Sequence, residues 1–148
     1  MSVIALNRLA AAVAATAVLL CGPAAPALAA PHWNKNIECK QTDPDGRVIP
    51  TRIGNHALGW SHFSGKHNIR KCKVVDAAIA GKVDKKTGGR LEYWGNALRG
   101  RSVLKIVVVV QYTRKTSDGR YNAGAGQKMG VITAYCKGMN KCPNWLNE

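Results

Sequence analysis

The chain opens with one cation, Arg8, followed by an apolar stretch from Leu9 to Leu20 and then the small residues Ala27-Leu28-Ala29. Charged, apolar and small-residue regions in that order read as a secretory leader over residues 1–30, with the mature protein starting near Ala30 or Pro31. As a membrane span the stretch is too short, because Gly22, Pro23 and Pro26 interrupt it before about 20 apolar residues accumulate. After the leader the pattern becomes turn-rich and extended to Ile53, with Asp43-Pro44-Asp45-Gly46 as a turn between Ile37-Glu38-Cys39 and Arg47-Val48-Ile49. Helices are predicted over Ala57 to His67 and Val74 to Lys82. In the second, Val75, Ala78 and Ile79 fall at helical spacing and Gly81 is placed to end it. Three segments rich in Val, Ile, Tyr and Thr then read as antiparallel strands: Arg90 to Trp94, Ser102 to Thr113, and Lys128 to Lys137. Ser117-Asp118-Gly119 marks the turn between the second and third. The Ile106 to Val110 run is apolar on both sides, which places its strand centrally. Helices followed by a run of strands predict an α+β fold: N-terminal helices packed on a small antiparallel β-sheet, in one domain over residues 31–148.

Removing the leader changes the reading of the cysteines, since it takes Cys21 and leaves Cys39, Cys72, Cys136 and Cys142. Cys21 is poorly placed for a lipid anchor, because Leu20 precedes it where a small residue is expected. In an exported small domain an even count reads as two disulfides, and four cysteines allow three connectivities. Cys39–Cys72 with Cys136–Cys142 is the preferred pairing, because the Lys137 to Lys141 segment is short enough to close on itself. A zinc site is the rival, but no Cys-x-x-Cys pair occurs.

The net charge is +14, and loss of Arg8 leaves +13 on the mature chain. Such a field attracts polyanions such as nucleic acid, anionic membrane surfaces or acidic wall polymers. Lysines and arginines are dispersed from Lys35 to Lys141, which fits a charged globular surface and no stable membrane association. Carboxylates are few and scattered over turns and separate elements, so none pairs on one element to hold two magnesium ions, and no Gly-x-Ser-x-Gly motif occurs. Neither metal nor cofactor is expected.

The remaining candidates for chemistry lie in two places. In Gly59-Trp60-Ser61-His62-Phe63-Ser64-Gly65-Lys66-His67, a helix puts His62 and Lys66 on one face with His67 about 100° further round. Histidine serves as general acid or base near neutrality, and lysine supplies positive charge for a developing phosphorane. In Val131-Ile132-Thr133-Ala134-Tyr135-Cys136, strand alternation sends Val131, Thr133 and Tyr135 to one face and Ile132, Ala134 and Cys136 to the other. Taken alone, a histidine pair in a basic protein also fits a solvated surface, and Thr and Tyr fit ordinary β-propensity.

Together these segments resemble the layout of the barnase/EndoU/colicin/RelE-type ribonuclease toxin domains. The resemblance implies helices on a small antiparallel sheet and metal-independent cleavage of RNA. It assigns His62 and His67 as the catalytic acid/base pair, Lys66 as a phosphate ligand, and Thr133 and Tyr135 as substrate ligands. It makes RNA the substrate partner of a secreted monomer and leaves room for a proteinaceous inhibitor. Two features depart from the shared pattern: the expected export as a free-standing chain behind a leader, and the four cysteines expected in the mature chain. A non-enzymatic secreted module that binds an anionic polymer or a partner protein is the rival reading.

Overall fold

The computed structural model describes residues 29–148, so the expected leader lies outside the described residues except for its last two positions. The described chain is a small mixed α/β unit with two helices, two antiparallel sheets and two disulfides.

Strands β1 (Asn34–Thr42) and β2 (Val48–Gly54) form an antiparallel hairpin. Asp43 builds its turn: Oδ1 accepts the Asp45 and Arg47 amides at 3.0 and 2.9 Å. The same carboxylate is buried, and its Oδ2 accepts the Tyr93 hydroxyl and Arg47 Nε, both at 2.7 Å. Burial works against its charge, but the hydrogen bonds from Tyr93 and Arg47 outweigh that and hold its pKa below the ordinary 3.8. The folded state therefore binds this proton less readily than the unfolded chain does. Its stabilisation is complete above pH 3.8 and is lost as pH falls through the lowered folded value. Asp43→Ala should cost about 3 kcal/mol at pH 7, because it strands the buried Tyr93 hydroxyl, removes the acceptor of the turn's two amides and leaves Arg47 with Asp45 alone. In urea denaturation the gap to the parent protein should narrow in strong acid.

Helix α1 (Trp60–Lys66) is shorter than its pattern predicts. Gly59 takes φ 80° and ψ −165°, outside helical space, so the three residues from Ala57 on do not join the helix. A side chain cannot replace that glycine, since a Cβ would lie 2.6 Å from the Arg52 carbonyl oxygen. Helix α2 (Cys72–Ile79) starts two residues before the predicted Val74 and ends three before Lys82; Gly81 follows the end, donating to the Ala78 carbonyl at 3.1 Å. The two helices follow the β1–β2 hairpin instead of opening the described domain.

The second sheet is a meander of β3 (Lys85–Thr87), β4 (Arg90–Arg99), β5 (Ser102–Gln111) and β6 (Gly130–Cys136), in that spatial order. The pattern predicted three of these strands and missed the short, wholly exposed β3. As expected, β5 is interior. One face, here the back, is the main core: Tyr93, Ile106, Val108 and Ala134 pack with Ile49, Phe63, Val75 and Ile79. Gly95 admits α2 closely, a Cβ there being 3.1 Å from Ala78 Cβ.

Strand β6 corrects the simple alternation. Thr133 pairs with Val109 and Val131 with Val110, so Ile132 is an extra residue, a bulge. Val131 consequently joins Ala134 and Cys136 in the back core rather than sharing the face of Thr133 and Tyr135. Ile132 leaves that core and packs on a smaller cluster of Trp33, Leu58, Tyr121, Ala123 and Met129.

Cys39–Cys72 ties β1 to the start of α2, and Cys136–Cys142 ties the end of β6 to the C-terminal segment, the expected pairing. Cys39, Cys72 and Asp76 are the only three potential metal ligands that cluster among the described residues, and both sulfurs are committed to the disulfide. No helix among the described residues is long and apolar enough to cross a membrane.

Candidate active site

Helix α1 lies along β6, its approach fixed where the Gly59 amide donates to the Ile132 carbonyl at 2.9 Å. This contact sets the histidines beside the front face of the sheet. His62 sits in the helix and His67 directly after it, where its amide caps the Phe63 carbonyl at 2.9 Å. The two rings stand edge to face, centroids 5.5 Å apart at 80°, and the His67 ring lies 6.0 Å from that of Tyr135.

Both imidazoles are held through the same nitrogen. His62 Nδ1 is 2.8 Å from the His56 carbonyl oxygen, and His67 Nδ1 is 3.1 Å from the Asn140 carbonyl oxygen. A carbonyl only accepts, so each Nδ1 carries a hydrogen and each neutral ring offers Nε2 as its basic atom. Neither Nε2 has a protein partner among the described residues. Burial pushes the pKa of His62 below 6.5. The His56 carbonyl opposes that shift, and the charges of His67, Lys66 and His56 reinforce it. His62 is therefore a neutral base at neutral pH. If it is the base in turnover, the acidic limb of a kcat/KM–pH profile should fall below pH 6.5, and a limb above 6.5 would remove it from that role.

A second clasp holds His67. Its carbonyl accepts the Cys142 amide at 2.9 Å, and Asn68 Nδ2 donates to the Cys142 carbonyl at 2.9 Å. Asn68 reaches it from the left-handed region at φ 59°. The loop closed by Cys136–Cys142 thus supplies two of the atoms that fix His67.

Five residues were predicted for the site. His62, His67 and Tyr135 come together directly. Thr133 shares the strand face of Tyr135, and its buried Oγ1 has no hydrogen-bond partner, which is unusual for a buried hydroxyl. Lys66 is exposed one turn from His62, close enough to depress its pKa.

The front face also carries residues that the sequence reading did not assign. Rungs of the sheet place Arg90 with Gln111, Glu92 with Val109 and Thr133, Trp94 with Val107 and Tyr135, and Asn96 with Lys105. With strands about 4.8 Å apart, Glu92 and Trp94 lie about 10 Å across the sheet from Thr133 and Tyr135. Trp94 is 42% exposed and has Lys105 Nζ 4.5 Å and Lys137 Nζ 6.0 Å from its ring centroid. The signal was in β4 itself: Arg90, Glu92, Trp94 and Asn96 alternate with buried Leu91 and Tyr93. Trp60, by contrast, packs edge-on against Phe63 at 5.4 Å and is no stacking platform. No protein-family model matches this chain, and no curated protein matches it significantly.

Proposed function

We propose that the protein is a secreted, metal-independent endoribonuclease of the barnase/EndoU/colicin/RelE type, working on the front face of the meander sheet. The observation that carries this reading is the pair of imidazoles with Nδ1 pinned and Nε2 free, set edge to face and beside the ring of Tyr135. The order of a helical histidine segment before a small antiparallel sheet, with α2 packed on its back, supports the same reading.

RNA carries its own nucleophile. His62 Nε2 takes the proton of the 2′-hydroxyl, the 2′-oxygen bonds to phosphorus, and the bond from phosphorus to the 5′-oxygen breaks. That oxygen receives the proton from Nε2 of protonated His67. The products are a 2′,3′-cyclic phosphate and a 5′-hydroxyl. Lys66 adds positive charge near the phosphorane, and the Tyr135 hydroxyl hydrogen-bonds a non-bridging oxygen, with Thr133, whose Oγ1 is buried, backing it on the same strand face. The scarcity of carboxylates on this face, Glu92 alone among its rungs, favours this chemistry over a metal pair.

The test is cleavage of an RNA oligonucleotide and its 2′-deoxy counterpart by the pure mature protein in the presence of a chelator. Cutting of RNA alone, with a cyclic phosphate end, is expected. Equal cutting of both, or cutting of neither, overturns the reading. The rival, a binding module without catalysis, draws on one feature: among the described residues the ion pairs are those of Arg47 with Asp43 and Asp45, so apart from buried Arg52 and from Lys73, which donates to the main-chain oxygen of Glu148, the other cations have no acidic partner and suit a polyanion. Under either reading RNA affinity should fall steeply with salt, by about 10³-fold or more between 50 and 200 mM if six or more phosphates are contacted. Filter binding measures it, and a flat salt response would exclude an electrostatic interface.

A further inference from the structure

Above Thr133 the front face ends in a cleft of about 380 Å³, between the sheet and the loop of residues 114–121. Its apolar wall is Leu58, Tyr121 and the bulged Ile132, the residue adjoining Thr133. Its polar rim includes Gln111 and Ser117, joined by a hydrogen bond of 3.2 Å, together with Arg90 and Arg120. Neither arginine has a carboxylate partner among the described residues. Asp118 also lines the cleft, and its Oδ1 is engaged by the Thr116 hydroxyl at 2.5 Å and the Arg120 amide at 3.1 Å.

We propose that this cleft is a nucleobase subsite that takes one base flanking the scissile phosphate of an RNA strand, with Arg90 and Arg120 holding the adjoining phosphate. The proposal rests on the ribonuclease reading of the neighbouring histidines. A base is a flat ring with polar edges. An apolar wall removes its faces from water, and the Ser117 hydroxyl oxygen, oriented by its bond to a Gln111 amide that Thr113 holds in turn, presents an acceptor to its edge. Guanidinium groups match a phosphate with two parallel donors. The bulge at Ile132 joins the two functions, because it turns that residue into the cleft while Tyr135, three residues on along the same strand, stands by His67.

Two measurements test it separately from cleavage chemistry. On random-sequence RNA the wild-type protein should cut with a nucleotide bias at one position beside the cut. Ser117→Ala and Arg120→Ala should weaken that bias, Arg120→Ala with KM raised roughly tenfold. Lys82→Ala, the same charge loss after α2, should change neither by more than about twofold. Independently, His62→Ala protein is titrated with the four nucleoside 5′-monophosphates and with inorganic phosphate, followed by amide NMR. Shifts at Leu58, Tyr121 and Ile132 with nucleotides and not with phosphate support the subsite. Identical shifts with phosphate alone, or none at these residues, overturn it. If the wild-type protein cuts no RNA, the ribonuclease reading fails, and the titration alone decides whether the cleft binds a base.

Discussion

His62→Ala and His67→Ala should each lower kcat/KM on RNA by about 10²–10⁴-fold, the usual worth of a positioned acid or base. Both rings are only half-buried and each makes one hydrogen bond to a loop carbonyl, so the fold should survive with a stability loss of about 1 kcal/mol. The two losses should not add in the double variant, because acid and base act on one transition state. Initial rates on a fluorogenic RNA, paired with thermal melts, separate catalysis from folding. Variants that keep wild-type turnover with unchanged melting would end the assignment of either histidine to proton transfer.

The two disulfides should separate in the opposite sense. Their spans are 33 residues for Cys39–Cys72 and 6 for Cys136–Cys142. Loop-closure entropy then predicts about 4 kcal/mol for the long link and about 2 kcal/mol for the short one. Activity should rank the other way. Opening Cys136–Cys142 frees the Asn140 carbonyl that orients the His67 ring and the Cys142 amide that holds its backbone. Cys136→Ala/Cys142→Ala should therefore lose about 10- to 100-fold in kcat, a misplacement effect. Cys39→Ala/Cys72→Ala, measured well below its lowered melting temperature, should stay within a few-fold of wild type. If the short-loop variant keeps full turnover, the loop does not position His67.

Much of this architecture was legible because it is local. The Asp43 turn needs only a carboxylate two and four residues before the amides it accepts, and that chemistry was visible in Asp-Pro-Asp-Gly. The back-face residues of α2 were legible because helical period alone selects Val75, Ala78 and Ile79. Three of the four meander strands announced themselves by aromatic or β-branched composition, whereas Lys85–Thr87 has no buried side chain to leave a pattern. Two local expectations failed for physical reasons. The start of α1 moved to Trp60 because Gly59 adopts a positive φ to clear the Arg52 carbonyl. The face of Val131 reversed because one inserted residue flips a two-residue period, and nothing in the composition of β6 marks the insertion.

The candidate site divides along the same line. The sequence by itself determined the residue types, the basic field, the spacing of His62 and Lys66 on one helical turn, and the cysteine pair whose loop was short enough to close. Tertiary structure alone decided that His67 is oriented by Asn140, 73 residues away, and that its ring meets Tyr135. It alone assembled Trp94, Lys105 and Thr133 on one face, and the cleft beside Ile132. Local patterning encodes period and burial, which neighbours along the chain dictate. Register and the approach of α1 to β6 depend on how separate elements fit over a shared core, and no single segment carries that information.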